Sequence, residues 1–328
     1  MGIHHEFRVP NSQQDPEPKH TKQPCKSLMQ KLDKAFQEAL SQQGLPSALL
    51  ESLETLYKPI AARLALVRNQ RKSPVLIGIN GAQGSGKSTF CSLLTPVLQH
   101  EHHMRVAVLS IDDVYHSHAK RQIMGREVHP LCAIRGVPGT HDINLAQETL
   151  NGLLSLREGQ TMRIPRFDKA RDDRKPREDW EVIEGPIDLV LFEGWCVACP
   201  DLPPWTGPYN NRERRDDPDG LWARWSAESL SKDYRQLFDQ IDTLIMIQIP
   251  SMDVVRQSRW LQEQKLWEKQ KTFGDEPSQL VGLMTQSEVM DYVDLFERYT
   301  EHMLKELPGA APILIKRDPD FRYTLKRL

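Results

Sequence analysis

Gly81-Ala82-Gln83-Gly84-Ser85-Gly86-Lys87-Ser88 matches the pattern GxxxxGK[ST] in full. The stretch before it, Pro-Val-Leu-Ile-Gly-Ile-Asn at 74–80, is a short apolar β-branched run and predicts a buried strand. After it, Phe90, Leu93, Leu94, Val97 and Leu98 recur at helical spacing, with Pro96 expected to kink that helix. Strand, glycine-rich turn and helix form the context this motif needs to be more than a chance turn. The glycines let the backbone wrap closely round a phosphate, with successive N–H groups pointing inward. The following helix turns its positive end toward the same anion. Lys87 then reaches the β- and γ-phosphates, and the Ser88 hydroxyl holds Mg²⁺. Gly81, Ala82, Gln83, Gly84, Ser85, Gly86, Lys87, Ser88 and Thr89 are therefore the expected nucleotide contacts. The loop alone does not choose between a kinase, a switch and a motor.

Four more apolar runs read as strands, at 105–111, 187–192, 241–249 and 312–316. Helical patterns lie between them. One is carried by Leu145, Thr149, Leu150, Leu153 and Leu154. Another runs from Val289 to Met303 and is opened by the capping box Thr285-Gln-Ser-Glu288. This alternation predicts an α/β fold of the P-loop NTPase kind: a doubly wound, mainly parallel sheet flanked by helices. Residues 27–72 predict a helical segment, through Leu28, Leu32, Phe36 and Leu40, then Leu49, Leu53, Leu56 and Tyr57 after a break at Gly44–Pro46. Residues 1–26 read as a disordered extension and 73–328 as the kinase-like domain. Two stretches break the alternation. Residues 160–186 carry seven basic and seven acidic side chains, with strand-like pieces at 161–167 and 180–183. Residues 200–222 carry five prolines. Both are expected to be inserted substrate or lid loops, because strands of the sheet continue after each.

The chain has 328 residues and a formal net charge of −2, with 39% hydrophobic and 27% charged residues. That balance argues against a protein that coats nucleic acid or an anionic membrane. No apolar run approaches the roughly 18 residues that cross a bilayer. The polar N-terminus lacks the apolar core of a secretory signal. Five scattered cysteines, at 25, 91, 132, 196 and 199, argue against a disulfide framework and fit a reducing cytoplasm. Cys196 and Cys199 form a CxxC with no second ligand pair for zinc. They read as loop thiols, with a redox pair as the alternative.

In a doubly wound sheet, ligands bind beyond the carboxyl ends of the strands. The second strand ends in Ser110-Ile-Asp112-Asp113-Val-Tyr115. Phosphoryl transfer to an alcohol needs an acceptor for the hydroxyl proton, and Asp112 is placed to be it. Asp113 is the fallback, or an outer-sphere Mg²⁺ ligand. The third strand ends in Glu193-Gly-Trp, a Walker B arrangement whose carboxylate holds Mg²⁺ together with Ser88. Asp142 is either the N-cap of the next helix or a substrate contact. His141 either binds substrate or packs in the loop. Arg166, Lys169 and Arg174 in the charged insertion suit an acidic substrate, since a guanidinium takes a carboxylate bidentately. Arg256 and Arg259 share one face of a helix after the fourth strand. An arginine there can stabilise the transferring phosphoryl group, although a solvated face explains them equally well.

Together these residues resemble the D-glycerate 3-kinases, a branch of the P-loop kinases related to phosphoribulokinase, uridine kinase and pantothenate kinase. The resemblance runs from about residue 70 to the C-terminus. It is carried by residues 81–88, Leu-Ser-Ile-Asp-Asp-Val-Tyr (109–115), Arg-Gly-Val-Pro-Gly-Thr-His-Asp (135–142), Ile-Pro-Arg-Phe-Asp-Lys (164–169), Phe-Glu-Gly-Trp-Cys (192–196) and Asp-Pro-Asp-Gly-Leu-Trp (217–222). It implies ATP as donor, Mg²⁺, and phosphorylation of the primary hydroxyl of D-glycerate, with the base falling on Asp112. The residues expected to form the acceptor site are Asp113, Tyr115, His141, Asp142, Arg166, Lys169 and Arg174, and the expected catalytic set is Asp112, Lys87 and Arg259. Two departures stand out. Val114 replaces a common Phe. Ala170-Arg171-Asp172-Asp173-Arg174 stands where a Gly-Arg-Gly-Asp-Arg-like stretch is usual, and losing two glycines stiffens that loop.

The expected partner is thus a small anionic substrate, with no nucleic acid and no membrane, and the oligomeric state is open. Another kinase of the same group remains an alternative. So does a nucleotide switch, through Ile315-Lys316-Arg317-Asp318, a near miss to the guanine-reading [Asn/Thr]-Lys-x-Asp.

Overall fold

The computed structural model describes residues 26–272 and 284–328. Apart from Lys26, the expected disordered extension lies outside the described residues. The chain opens with α1 (Lys26–Gln42) and α2 (Lys58–Arg71), joined by short 3₁₀ and π turns. It continues through β1 (Val75–Gly81), α3 (Lys87–His102), β2 (Val106–Ser110), α4 (His118–Glu127) and α5 (Ile143–Ser155). An inserted region holds β3 (Thr161–Ile164), β4 (Phe167–Asp168), β5 (Asp173–Arg174) and β6 (Glu181–Glu184). Then come β7 (Leu189–Gly194), α6 (Asn211–Asp216), α7 (Leu221–Ser229), α8 (Arg235–Phe238), β8 (Thr243–Gln248), α9 (Met252–Thr272), α10 (Gln286–Ala310), β9 (Ile313–Arg317) and β10 (Tyr323–Arg327).

Six strands form one sheet in the order β10-β9-β8-β1-β7-β2, all parallel except β10, which runs antiparallel to β9. Every residue of β1 and β7 is buried. This is why both read as unbroken apolar runs: a parallel strand covered on both faces has no polar side to show. Side chains alternate between two layers. Leu76, Val190, Phe192, Met246 and Leu314 meet the α5 and α10 side. Val75, Ile77, Ile79, Leu189, Leu191, Ile245, Ile247 and Ile313 meet α1, α2 and α3. The N-terminal helices belong to this second layer. The Phe36, Tyr57 and Phe90 rings pack in series at 5.2 and 5.4 Å.

The five expected strands form within a residue or two of their predicted bounds. Pro96 sits inside α3 without ending it. The capping box at Thr285 and Glu288 forms as expected. β10 was not expected. The insertion adds no strand to the main sheet: β3 pairs with β6, and β4 with β5, as separate antiparallel ladders. From β1 the chain crosses over α3 to β2, beyond β7, whereas β8 lies on the other side of β1. The carboxyl end of β1 is therefore a topological switch point, where a ligand crevice opens.

Candidate active site

The loop after β1 turns through Gly84 at φ +73° and Gly86 at φ +88°, the latter capping α3. Both positions are tight as well as left-handed. A Cβ on Gly84 would lie 2.6 Å from Ser258 Cβ, and one on Gly86 would lie 2.0 Å from the Tyr323 hydroxyl oxygen. That hydroxyl donates to the Ser85 carbonyl at 2.9 Å. So α9 and β10 brace the loop from outside, and motif reading marked neither Ser258 nor Tyr323. Lys87 Nζ donates to the Ala82 carbonyl at 3.3 Å. Ser85 Oγ and Gln83 Oε1 are buried without a hydrogen-bond partner. Thr89 turns its hydroxyl to Gln43 Oε1 of the N-terminal helical region, at 3.4 Å.

Parallel pairing sets Glu193 beside Ile79 of β1 and Ser110 of β2, at the strand ends that face this loop. Its side chain is buried, with the residue 4% exposed, and Ser88 Oγ donates to Oε1 at 2.7 Å. A hydroxyl and a carboxylate held together are hard oxygen donors, and they fit Mg²⁺ that draws its other ligands from phosphate and water. Among the described residues no group of three or more His, Cys, Asp or Glu side chains is arranged to hold a metal by itself.

Asp112 lies in the 3₁₀ turn Ile111–Val114, straight after β2. Lys169 Nζ donates to its Oδ2 at 2.7 Å, and the Tyr115 hydroxyl donates to its Oδ1 at 2.9 Å. Burial by itself would raise the Asp112 carboxyl. The Lys169 ammonium more than offsets this, with help from His141 and Lys87, and holds the group well below the usual carboxylate range. Asp112 is thus an anion at any physiological pH. In turn its charge raises Lys169. Ser88, Cys91, Ser110, Asp112, Lys169 and Glu193 line one cleft of about 300 Å³. A larger open hollow of about 510 Å³ lies at the amino end of β2, among Gln99, Met104, Val106, Val182 and Ile187. It is remote from the strand ends that carry these carboxylates.

Several expected contacts have other partners. Asp113 accepts from Arg166 Nη1 at 2.9 Å and from the Phe167 amide at 3.1 Å; burial raises it, against the pull of Arg166. Arg166 also reaches Glu181 and the Val108 carbonyl, so its donors are engaged within the fold. Arg174 donates to the Tyr115 carbonyl at 2.9 Å and to Asp142 Oδ2 at 3.1 Å. The other oxygen of Asp142 caps α5 through the Leu145 amide, so the N-cap alternative is the one that forms. Arg256 is tied to Asp294 and Glu297 of α10, which removes it from phosphate chemistry. Arg259 pairs with Glu263 on its own helix at 2.8 Å and follows Ser258, the residue against Gly84. The Tyr292 phenol is raised by burial, against the pull of the nearby Arg135, Arg259 and Lys169 charges.

His141 is 2% exposed and stacks on Tyr115 with ring centroids 4.4 Å apart. Its Nδ1 meets the Tyr234 hydroxyl at 2.6 Å, while its Nε2 is buried without a partner. Burial pushes its pKa down to about 3, so it is neutral. The Gly139 amide donates to that same Tyr234 hydroxyl at 2.8 Å. The phenol proton is therefore left for His141 Nδ1, and the ring carries its own proton on Nε2. Tyr234, like Ser258 and Tyr323, is a residue that sequence reasoning did not mark. Cys196 and Cys199 are free and buried, and burial raises both thiols, so the loop-thiol reading holds over the redox pair. In the switch-like stretch, Asp318 Oδ1 accepts from the Arg322 amide of its own turn at 2.8 Å.

Residues 76–198 match the family described as Phosphoribulokinase / Uridine kinase. The chloroplastic D-glycerate 3-kinase of Arabidopsis thaliana is 36% identical over 138 residues, covering 40% of this chain and 30% of the plant protein. The chain thus spans less than a third of that relative. A protein of Schizosaccharomyces pombe described as an uncharacterized kinase is 29% identical over 224 residues, covering 66% of this chain and 80% of the yeast protein. Among solved structures, a D-glycerate 3-kinase from Cryptococcus neoformans superposes with a TM-score of 0.63 at 22% identity, covering 83% of this chain and 99% of that one. Among the described residues no helix is long and apolar enough to cross a membrane. The glycine-rich loop at 81–88, Glu193 and Asp112 all fall inside the stretch 76–198 that matches the phosphoribulokinase/uridine kinase family model, and a D-glycerate 3-kinase is among the proteins this chain is similar to.

Proposed function

We propose that the chain is an ATP-dependent kinase that phosphorylates the primary hydroxyl of D-glycerate. The observation that carries the transfer chemistry is the Asp112 carboxylate, kept ionised by Lys169 in the same cleft as the Ser88–Glu193 pair. The choice of D-glycerate rests on the resemblance of residues 109–142 and 164–196 and on the names of the relatives above. The Lys169 ammonium in the cleft, with Lys87 near enough for its charge to act on Asp112, suits an anionic acceptor better than a neutral nucleoside.

In this reading the loop amides and Lys87 hold the phosphates of ATP. Ser88 and Glu193 would hold Mg²⁺, which would supply charge neutralisation for the nucleotide's phosphates. Asp112 orients the acceptor hydroxyl and takes its proton as that oxygen bonds to the γ-phosphorus and the bond from phosphorus to the departing ADP breaks. A carboxylate of low pKa suits this task, because a loose transition state needs little proton transfer until the bond is nearly made. Arg259 adds positive charge on the α9 side of the loop. His141, neutral and carrying its proton on Nε2, is a hydrogen-bond donor for an acceptor oxygen. The free, buried cysteines fit the cytoplasm as the compartment.

The test is ADP release with Mg-ATP against D-glycerate, L-glycerate, uridine, pantothenate, ribulose 5-phosphate and no acceptor. A rate with D-glycerate far above every other arm supports the assignment. A higher rate with another acceptor replaces D-glycerate, and acceptor-independent hydrolysis alone removes the kinase reading.

A further inference from the structure

We infer that Asp172 is a positioning residue for phosphoryl transfer, pinning through Arg135 the hairpin tip that delivers Lys169 to Asp112. The inference rests on the proposed role of Asp112 as the group that takes the acceptor's proton. β4 and β5 pair over only two residues each, so the ladder does little to hold the tip between them. Lys169 and Asp172 both lie in that tip. Its side-chain anchors therefore decide where Lys169 sits.

Asp172 is built into this position at a cost. Its φ is +53°, a left-handed conformation that an L residue with a side chain adopts only when its surroundings hold it there. The surroundings are two guanidinium groups and an imidazole. His118 Nδ1 meets Oδ2 at 3.0 Å, Arg121 Nη2 meets Oδ1 at 2.9 Å, and Arg135 Nη1 donates to the same Oδ1. Arg121 also donates to the Asp172 carbonyl at 2.7 Å. Its other nitrogens are committed to the carbonyls of His116 at 3.2 Å and Ala133 at 2.9 Å, so it is a buried, fixed anchor. Arg135 has a second contact: Nη2 donates to the Lys169 carbonyl at 3.4 Å, and its guanidinium lies 5.6 Å from the centroid of the Phe167 ring.

A line of contacts thus runs from the Asp172 carboxylate to Arg135, from Arg135 to the Lys169 backbone, and from the Lys169 ammonium to Asp112. The Lys169 side chain is 63% exposed, long and flexible. Fixing its backbone end lowers the entropy lost when its ammonium settles on Asp112. A glycine would suit this backbone angle better, but it would supply no carboxylate.

The test compares wild type, Asp172→Asn, Asp172→Gly, Lys169→Ala and the double variants that combine each Asp172 change with Lys169→Ala, all as the full chain. kcat and the KM for each substrate are measured with Mg-ATP and D-glycerate. Asp172→Asn should lower kcat on the order of tenfold, with the KM for ATP within about twofold, the scale of a slightly misplaced catalytic group. Asp172→Gly should lose as much activity, although it relieves the backbone and keeps the fold if Asp172→Asn does not. In the Lys169→Ala background neither change should cost anything further. Wild-type turnover in Asp172→Gly overturns the inference, and so do losses that multiply in the double variants, which would mark a merely structural role. If wild type proves inactive on D-glycerate, the substrate reading fails separately, and backbone amide exchange over residues 168–175 decides the pinning. Faster exchange in Asp172→Gly confined to that tip upholds it; unchanged exchange overturns it.

Discussion

Replacing Gly86 by Ala should destabilise the protein through Tyr323, a residue 237 positions later in the chain. The added Cβ would lie 2.0 Å from the Tyr323 hydroxyl oxygen and 3.3 Å from the ring carbon that bears it. The oxygen is then about 1.5 Å inside ordinary contact, so the phenol must withdraw. Two losses follow. The left-handed backbone at φ +88° costs a residue with a side chain about 1–2 kcal/mol. The 2.9 Å hydrogen bond to the Ser85 carbonyl is broken, which costs about 1 kcal/mol. Together they give about 2–3 kcal/mol, or a drop of roughly 3–4 °C in Tm for a chain this long. Tyr323→Phe alone removes only the hydrogen bond and should cost about 1 kcal/mol. In the Gly86→Ala background that bond is already gone and the clashing oxygen leaves with it, so Tyr323→Phe should cost nothing or restore stability. The assay is urea denaturation of all four proteins, read as a double-mutant cycle, with the KM for ATP measured alongside. A cost for Tyr323→Phe that is equal in both backgrounds would refute the reasoning, because the two residues would then not be in contact.

Lys169→Ala should let burial raise Asp112, since its strongest opposing charge is gone. The depressed carboxyl stabilises the fold above the ordinary carboxylate value of about 3.9, and that contribution is lost as pH falls through the lower folded value. In the variant the folded value moves toward or above the unfolded one, so this acid-side loss of stability should shrink, while the acid limb of kcat should move upward; an unmoved kcat profile would separate Lys169 from Asp112. Lys87→Ala should abolish turnover while leaving Tm nearly unchanged, because its ammonium makes one long contact, to the Ala82 carbonyl at 3.3 Å; retained turnover would remove it from the phosphates. Glu193→Gln should leave Ser88 a hydrogen-bond acceptor but raise the Mg²⁺ concentration needed for half-maximal rate by at least about tenfold, the scale of losing a charged metal contact. Tyr234→Phe should cost about 1–3 kcal/mol in denaturation, because it strips partners from the Gly139 amide and His141 Nδ1 in the core.

The parts of the fold that were legible are those whose cause is local. β1 and β7 are buried on both faces, so their composition announces them. The phosphate loop needs its glycines and lysine at fixed offsets, whatever surrounds it. Glu193 and Asp112 could be placed because each ends an apolar strand, and parallel register then brings Glu193 beside Ser110 and Ile79. β10 escaped because Tyr-Thr-Leu-Lys-Arg is short and half exposed, an edge strand that shows only partial alternation. Its Tyr323 nonetheless braces the loop at Ser85, and nothing near it in sequence signals that.

The charged insertion shows what sequence cannot decide. Arg166, Lys169 and Arg174 looked alike there, three cations suited to an acidic ligand. Each meets a carboxylate far away in the chain: Arg166 meets Asp113, 53 residues off; Arg174 meets Asp142, 32 off; and Lys169 meets Asp112, 57 off. The difference lies in what the contact leaves over. Arg166 and Arg174 divide their donors among carboxylates and backbone carbonyls, which makes them struts between β2, α5 and the insertion. Lys169 has three donors, gives one to Asp112, and stays largely open to solvent in the cleft. A cation can serve a ligand only with the donors its own fold does not use. By that measure Lys169 is the cation of the insertion with donors left for a ligand, and the proposed pinning makes its placement depend on Asp172, the one left-handed residue of the hairpin that carries it.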